Sequence, residues 1–208
     1  TGDVTRYQRL RERGVPLVTV NGNAPTIRAP GFATDDRRAT RMAVDHLIAL
    51  GHQRIGLAMG PIRMVPAQRK RSGYEDAMNE SLSDEPLRIV ETLYTYEGGI
   101  SAALHLLEQG CTGIVCSSDV MALGVVHGVR QTGRSVPHDV SVIGYDDSPL
   151  IPMTDPPLTT VRQPVDAICR AAVSTLLAQL DGERPTDTEM LFAPDLIVRD
   201  STAAVPID

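Results

Sequence analysis

Short apolar segments alternate with helical segments along most of this chain, and this alternation is the feature that most constrains its fold. The apolar segments have the composition of buried strands, and those between them carry apolar residues at helical spacing. Strands joined by helical crossovers lie parallel in a sheet with helices on both faces. The sequence therefore predicts an α/β fold, with strands at Arg54 to Met59, Arg88 to Leu93, Gly113 to Cys116 and Ser141 to Tyr145, and helices at Gln68 to Leu82, Gly98 to Glu108 and Val120 to Gln131.

The residues before this alternation predict further elements. Thr5 to Arg13 has the composition of a polar helix, and Val15 to Val20 is an apolar, β-rich run that indicates a buried strand. A short extended segment is expected near Gly31 to Thr34. Asp36 then predicts an N-cap for a helix that ends at Gly51.

The residues after Asp147 begin with a break in the pattern. Ser148 to Pro157 contains four prolines, which neither a helix nor a central strand accommodates easily. Beyond it we predict a strand at Thr159 to Arg162, a helix at Val165 to Leu180 and one last extended segment at Met190 to Val198.

Composition argues against several classes of function. The formal net charge of −6 disfavours a nucleic-acid surface, because such surfaces need Lys and Arg to displace counterions. No apolar run approaches the roughly 18 residues that span a membrane, and the first residues are too polar for a signal peptide. The start at Thr1, without a Met, is consistent with removal of a leader or a whole domain.

The spacing of Cys and His argues against metal chemistry. The three cysteines lack CxxC spacing, and the five histidines form no HxH or HExxH pattern. We therefore expect reduced thiols in a cytoplasmic protein, with no metal and no cofactor. Motifs for a nucleophile elbow, a phosphate-binding loop and a dinucleotide-binding turn are also missing, so we expect no catalytic residues and no enzyme.

The carboxyl ends of the predicted strands indicate where a ligand would bind, because ligands of parallel α/β sheets bind where these ends meet. We therefore expect one set of loop residues to line the same edge, which we call the ligand rim. It comprises Asn21, the loop from Gly60 to Lys70, Tyr94, Ser117 to Asp119, and the pair Asp146 and Asp147.

Asp146 and Asp147 show the alternatives at this rim. A carboxylate accepts hydrogen bonds from two neighbouring hydroxyls, so Asp146 suits a polyhydroxylated ligand such as a sugar or a nucleoside. The structural alternative is a turn cap, and we assign Asp147 to that role. Adjacent strand residues point to opposite faces, so the two carboxylates are poorly placed to act as a catalytic dyad.

Other residues of the rim also have two interpretations. Arg69, Lys70 and Arg71 lie early in a predicted helix, where the dipole disfavours cations, so at least one should be held by an acidic group or a ligand. Tyr94 either lays its ring against a sugar or packs at a strand end. Ser118 can cap the following helix and still contact a ligand.

Short sequences spread over nearly the whole chain resemble the effector-binding region of LacI/GalR-type transcriptional regulators, which have the type I periplasmic-binding-protein fold. Their order and spacing match that family. They include Leu50-Gly51-His52-Gln53-Arg54-Ile55, Gly73-Tyr74, Ser118-Asp119, Ser141-Val142-Ile143-Gly144-Tyr145-Asp146-Asp147 and Pro156-Pro157-Leu158-Thr159-Thr160-Val161-Arg162-Gln163-Pro164.

The resemblance implies effector contacts at particular positions. By position they fall on Asn21, Lys70, Tyr94, Ser118, Asp146 and Gln163. Lys70 stands where the family commonly has Arg, and Ser118 stands where it commonly has Asn. Lys lacks the bidentate fork of Arg, so we add Arg69 as a candidate that supplies it.

The resemblance also implies two subdomains that close over the effector by a hinge motion. We expect residues 1–33 and 164–189 to form part of the amino-terminal subdomain, and residues 34–163 and 190–208 to form the carboxy-terminal one. The first strands of the amino-terminal subdomain and the DNA-binding headpiece would then lie outside this chain, which would reach operator DNA only through that headpiece.

The resemblance thus implies the effector-sensing region of a bacterial transcription regulator that binds a small effector, such as a sugar, and forms a homodimer. The predicted helix from Val120 to Gln131 is the candidate dimer surface, because Gly124 and Gly128 would permit close approach. A periplasmic sugar-binding protein that feeds a transporter is the alternative. The Gly51-His52 pair and the run from Asp155 to Thr160 favour the regulator.

Overall fold

The structure is a computed structural model that describes residues 5–22, 29–183 and 186–205. Its helices are α1 (Thr5–Glu12), α2 (Asp36–Ala49), α3 (Val65–Ser81), α4 (Tyr96–Glu108), α5 (Asp119–Gln131) and α6 (Val165–Leu180). Its strands are β1 (Thr19–Val20), β2 (Gly31–Thr34), β3 (Ile55–Met59), β4 (Arg88–Glu91), β5 (Gly113–Cys116), β6 (Ser141–Asp146), β7 (Thr159–Arg162), β8 (Glu189–Phe192) and β9 (Asp195–Ile197).

The strands form two sheets. The larger sheet has the order β4-β3-β5-β6-β7-β9, and the smaller has the order β1-β2-β8. Neighbouring strands are parallel throughout, except that β9 runs antiparallel to β7 at the edge of the larger sheet. The predicted α/β fold with parallel sheets is confirmed.

Helices cover both faces of the larger sheet because successive strand residues point to opposite sides. Val115 packs with α2 and α3, whereas its neighbour Cys116 packs with α4 and α5. β3 shows the same division, with Leu57 on the first face and Ala58 on the second. The two apolar cores hold the central strands rigidly, so the loops at their carboxyl ends have fixed positions.

Small residues bring α4 and α5 into close contact. A Cβ atom on Gly124 would lie 2.0 Å from the carbonyl oxygen of Tyr96, and one on Gly128 would lie 2.8 Å from the Cβ of Ala103. Both glycines of α5 therefore face α4 of the same chain. The prediction that they permit close approach of a second chain is wrong, because α4 already occupies that space.

Two other local predictions need correction. The strand predicted over Val15 to Val20 is limited to β1, because only Thr19 and Val20 pair with β2. Asp36 does not cap α2; the carboxylate of Asp35 accepts the hydrogen bond from the Arg38 N–H at 3.1 Å. Gly51, with a φ of +89°, follows the end of this helix as predicted.

The last extended segment divides between the two sheets. β8 pairs with β2 in the smaller sheet, and β9 pairs with β7 in the larger one. Thr34 and residues 190–192, which the sequence assigned to the carboxy-terminal subdomain, therefore belong to the smaller sheet, against which α6 packs. The division into two subdomains remains a proposal, in which Thr34 and residues 190–192 now belong to the amino-terminal subdomain. Residues 1–4, 23–28, 184–185 and 206–208 lie outside the described part of the chain.

Candidate functional site

Lys70 is buried at the carboxyl edge of the larger sheet, with 5% of its surface exposed. Its Nζ donates a hydrogen bond to the carbonyl oxygen of Ser117 at 2.9 Å and lies 3.4 Å from the centroid of the Tyr145 ring. The same nitrogen lies 3.7 Å from Oδ1 of Asp36. Burial lowers the pKa of Lys70, and the carboxylates of Asp36 and Asp146 oppose this effect.

The position of Lys70 follows from the packing of α3 against α2. A Cβ atom on Gly73 would lie 2.0 Å from the carbonyl oxygen of Arg37, so only glycine permits the observed approach of the two helices. Arg37 follows Asp36 in the first turn of α2, and Lys70 lies one turn before Gly73 in α3. The close crossing therefore brings Asp36 and Lys70 together.

Asp36 and Tyr145 form a buried pair beside Lys70. The Tyr145 hydroxyl donates a hydrogen bond to Oδ1 of Asp36 at 2.5 Å. Burial raises the pKa of Asp36, while the charge of Lys70 and the hydrogen bond from Tyr145 lower it. Sequence reasoning missed both residues, since Asp36 was assigned to a cap and Tyr145 to a strand; a tyrosine in an otherwise aliphatic strand was the available signal.

Asp146 is connected to the smaller sheet by a chain of hydrogen bonds. Nε2 of Gln163 donates to Oδ1 of Asp146 at 2.6 Å, and the hydroxyl of Thr34, in β2, donates to Oε1 of Gln163 at 2.7 Å. Burial raises the pKa of Asp146, and Lys70 and Gln163 oppose that shift. We call Lys70, Asp36, Tyr145, Asp146, Gln163 and Thr34 the Lys70 cluster.

Asp147 has a different role from Asp146. Nη2 of Arg199 and Nε of Arg162 donate to its two carboxylate oxygens at 2.6 and 2.7 Å. Burial raises the pKa of Asp147, but the hydrogen bonds from the two arginines outweigh it, and the pKa lies below its ordinary value. Asp147 is a structural residue, though as the centre of an ion-pair group rather than as a turn cap.

Residues 117–119 join β5 to α5 beside the cluster. The Ser118 hydroxyl accepts a hydrogen bond from the Met121 N–H at 3.2 Å and so caps α5, as predicted. Asp119 accepts from the Thr160 hydroxyl at 2.7 Å and from the Ser148 N–H at 2.8 Å. The Ser117 hydroxyl is buried and has no hydrogen-bond partner among the described residues.

Tyr94 lies at the border of the cluster. Its ring covers Gly60, where an added Cβ atom would lie 2.0 Å from Cε2 of the tyrosine. Its ring centroid is 6.0 Å from Nζ of Lys70. Burial, with the charges of Asp36 and Asp146, raises the pKa of Tyr94 to about 12, so its hydroxyl stays protonated and able to donate.

Arg69 and Asn21 are placed differently from the other predicted contacts. Nη2 of Arg69 lies 2.5 Å from Oε2 of Glu189 in β8, so this guanidinium joins α3 to the smaller sheet. Asn21 is exposed at the end of β1, with a φ of +51°. The structure thus brings Lys70, Tyr94, Asp146 and Gln163 together, with Ser118 beside them, and leaves Asn21 on the smaller sheet.

The described residues contain neither a candidate metal-binding group nor a membrane-spanning helix. No group of three or more His, Cys, Asp or Glu side chains there could hold a metal ion. No helix in the same part of the chain is both long and apolar enough to cross a membrane.

Comparison with known proteins places this arrangement in a family. The family of periplasmic binding protein-like domains matches residues 44–202. The HTH-type transcriptional regulator MalR of Streptomyces coelicolor is 50% identical over 211 residues, which cover 99% of this chain and 61% of the relative. The HTH-type transcriptional repressor CytR of Escherichia coli is 37% identical over 194 residues, 92% of this chain and 57% of the relative.

The chain therefore spans only about three-fifths of the length of these curated relatives. Solved structures are also similar. The complex of the transcriptional regulator CelR with cellobiose has a TM-score of 0.85 and 30% identity, covering 92% of this chain and 60% of that one. A LacI family regulator from Enterococcus faecium with bound ribose has a TM-score of 0.85 and 27% identity, covering 95% and 74%.

A sugar-binding regulator of the LacI family from Escherichia coli, complexed with phosphate, has a TM-score of 0.82 and 28% identity, covering 97% of this chain and 74% of that one. The proteins named here are transcriptional regulators rather than enzymes or transport proteins. They support the expectation that the chain is not an enzyme, and they do not favour the alternative of a periplasmic binding protein.

Proposed function

Because this chain belongs to the family of periplasmic binding protein-like domains and corresponds to the effector-binding region of LacI-type transcriptional regulators, we propose that it binds a small polyhydroxylated effector, a sugar or a nucleoside-like molecule, between its two sheets. The observation that carries the proposal is the position of Asp146. Its carboxylate lies at the carboxyl end of a central strand and is connected through Gln163 and Thr34 to the smaller sheet.

Within this proposal, Asp146 accepts hydrogen bonds from two effector hydroxyls, and Tyr94 offers a ring face and a protonated hydroxyl. Gln163 orients the carboxylate and can contact the effector with its second amide proton. Ser118 and Asn21 contribute polar groups from the two sheets. Arg69 does not touch the effector in this proposal, because its guanidinium is paired with Glu189.

Lys70 has an organising role in the proposed site rather than the bidentate contact that an arginine would make. Its amine is enclosed by the Ser117 carbonyl, the Tyr145 ring and Asp36, and only 6% of its side chain is exposed. A point charge in this position attracts the carboxylates of both Asp36 and Asp146. The effector then meets preorganised acceptors.

Closure of the two sheets around the effector is the proposed route to regulation. The chain crosses between the sheets after Thr34, after Arg162 and after Phe192, so few backbone segments need to change for a hinge motion. An effector shifts this equilibrium only by the difference between its affinities for the open and closed forms. The closed form would then alter how a DNA-binding headpiece outside this chain sits on the operator, in the bacterial cytoplasm.

We further propose that the chain forms a homodimer through the outer side of α5. The segment from Ser148 to Asp155 runs along this helix, since the Ser148 N–H donates to Asp119 at its start and Arg130 donates to Asp155 at its end. Val120, Leu150 and Met153 expose 49%, 70% and 81% of their surfaces there. Neighbouring exposed apolar side chains of this size are typical of interfaces.

Substitution of Leu150→Glu together with Met153→Glu tests the dimer. Light scattering after gel filtration is expected to give a dimer mass for the wild type and a monomer mass for the variant. The control is Leu93→Glu, which places a charge on another exposed leucine away from α5. A wild-type monomer, or a dimer that survives both charges, would contradict the proposed surface.

The effector proposal is tested by a thermal-shift screen of sugars and nucleosides that includes ribose and cellobiose, followed by calorimetry with the positive compounds. A ligand that binds only the folded state raises the midpoint temperature as its concentration increases. Asp146→Ala is expected to abolish this response, and Asp166→Ala, an exposed carboxylate of α6, is expected to retain it. Unchanged affinity in Asp146→Ala would mean that the carboxylate is structural.

A further inference from the structure

Within the described part of the chain, the Lys70 cluster and its surroundings contain more carboxylates than cations. Asp36, Asp119 and Asp146 are contributed by three different elements, and burial is the largest influence on all three pKa values. Among the described residues, Lys70 and its neighbour Arg69 are the cations that act on Asp36 and Asp146, whereas Arg162 and Arg199 are bound to Asp147. Glu189 adds a fourth carboxylate at Arg69.

Both cations are already engaged by groups of the protein. The Lys70 amine donates to the Ser117 carbonyl, lies on the Tyr145 ring and pairs with Asp36, and its side chain cannot turn toward a ligand while it is enclosed in this way. The Arg69 guanidinium is paired with Glu189 at 2.5 Å, and the two side chains are 20% and 17% exposed. An anionic ligand would have to displace a carboxylate from one of them.

Two helix amino ends at the cluster are occupied as well. The first turn of a helix attracts anions through its free N–H groups and its dipole. Asp36 lies in the first turn of α2, and Asp119 lies in the first turn of α5. The side chains of Asp35 and Ser118 already cap these two helices, and the carboxylates of Asp36 and Asp119 add negative charge beside the capped ends.

Building on the proposed function, we propose that this site selects effectors without a negative charge and rejects phosphorylated and carboxylated sugars. An anion in the cluster would be removed from water and brought near three carboxylates, with neither cation free to pair with it. Uncharged hydroxyls instead find acceptors in Asp146 and Gln163, and the Ser117 hydroxyl is one further polar group without a partner among the described residues.

Matched ligand pairs test this selectivity in calorimetry at constant ionic strength: ribose against ribose 5-phosphate, and glucose against glucose 6-phosphate and glucuronate. For a pair in which the parent sugar binds, the anionic member is expected to bind at least about 100-fold more weakly, because juxtaposed like charges strongly disfavour binding. An anionic member that binds within about 10-fold of its parent, or more tightly, would overturn the charge selectivity and leave sugar sensing intact.

Inorganic phosphate provides a test that does not depend on the identity of the effector. The wild-type chain is expected to show no saturable phosphate binding. Asp36→Asn, which removes one negative charge but keeps an oxygen for the Tyr145 hydroxyl, is expected to gain it. The charge selectivity is contradicted if the wild type binds phosphate saturably and Lys70→Met loses that binding. It is also contradicted if Asp36→Asn gains no phosphate binding. If no sugar of the full panel binds, that result counts against the proposed function instead.

Discussion

The larger and the smaller sheet differ in how completely their side chains are covered. The larger sheet is packed on both faces, and residues such as Leu57 and Leu106 are fully buried. Among the residues that the structure describes, the core of the smaller sheet consists of Phe32, Ile168 and Ala172 with a few partly buried neighbours. Because burial of apolar area is the main source of stability, we expect the larger sheet to be the more stable support of the proposed site and the smaller sheet to be the part that moves in the proposed closure.

The first prediction compares matched leucines in the two regions. Leu106→Ala in α4 is expected to lower the free energy of unfolding by about 2 to 5 kcal/mol, because it leaves a cavity in the core of the larger sheet. Leu177→Ala in α6, where the leucine is 55% exposed, should change it by less than about 1 kcal/mol. Urea denaturation measures both, and equal losses would mean that the two regions are equally well packed.

The second prediction concerns the ion pair between the sheets. Glu189→Gln removes the charge that holds Arg69, and we expect the smaller sheet to move away from α3 more often, with a cost of about 1 kcal/mol. Cys169 on α6 is exposed, whereas Cys111 and Cys116 are buried and should not react with a dye. Energy transfer between a dye on Cys169 and a second dye on Asn79→Cys in α3 then reports the distance between α6 and α3.

The charge-swapped pair Arg69→Glu with Glu189→Arg is the control for that experiment. It is expected to restore the wild-type distance between the two dyes, because the attraction is kept with the two charges exchanged. If Glu189→Gln leaves the distance distribution unchanged, the ion pair does not contribute to holding the sheets together.

The third prediction concerns pH and the amino edge of the larger sheet. His52 is buried between Thr112, Ser141 and the carbonyl of Ala203, and burial lowers its pKa from 6.5. The unfolded chain then binds more protons than the folded chain just below pH 6.5, so stability should fall as the pH falls through this range.

The matched variants for this measurement are His52→Gln and His138→Gln, of which the second replaces an exposed ring. Urea midpoints between pH 5 and 8 are expected to lose part of their pH dependence in His52→Gln and to retain it in His138→Gln. The same slope in both variants would show that His52 is not the group responsible.

Much of the larger sheet could be predicted because its signals are local. Helical spacing and short apolar runs located α4, β5 and α5 within a few residues, and these features depend only on neighbours in sequence. The run from Met190 to Val198 shows the limit of that reasoning. It is continuous in composition, yet its two halves pair with β2 and β7, which are distant in sequence.

The candidate site shows the same limit. The rule that ligands bind at strand carboxyl ends located Lys70, Tyr94 and Asp146, which the structure brings together. It could not reveal Asp36, whose place beside Lys70 depends on the close crossing of α2 and α3. Nor could it show that Arg69 is paired with Glu189 across the two sheets.

The sequence by itself determined the order of strands and helices, the parallel arrangement of the sheets and the edge at which a ligand would bind, because periodicity and turn residues act over a few neighbouring positions. The tertiary structure alone decided which groups are paired there. Contacts between distant segments pair Lys70 with Asp36 and Arg69 with Glu189, and they link Asp146 to the smaller sheet. Such contacts depend on how helices and sheets pack, and no local pattern in the chain encodes them.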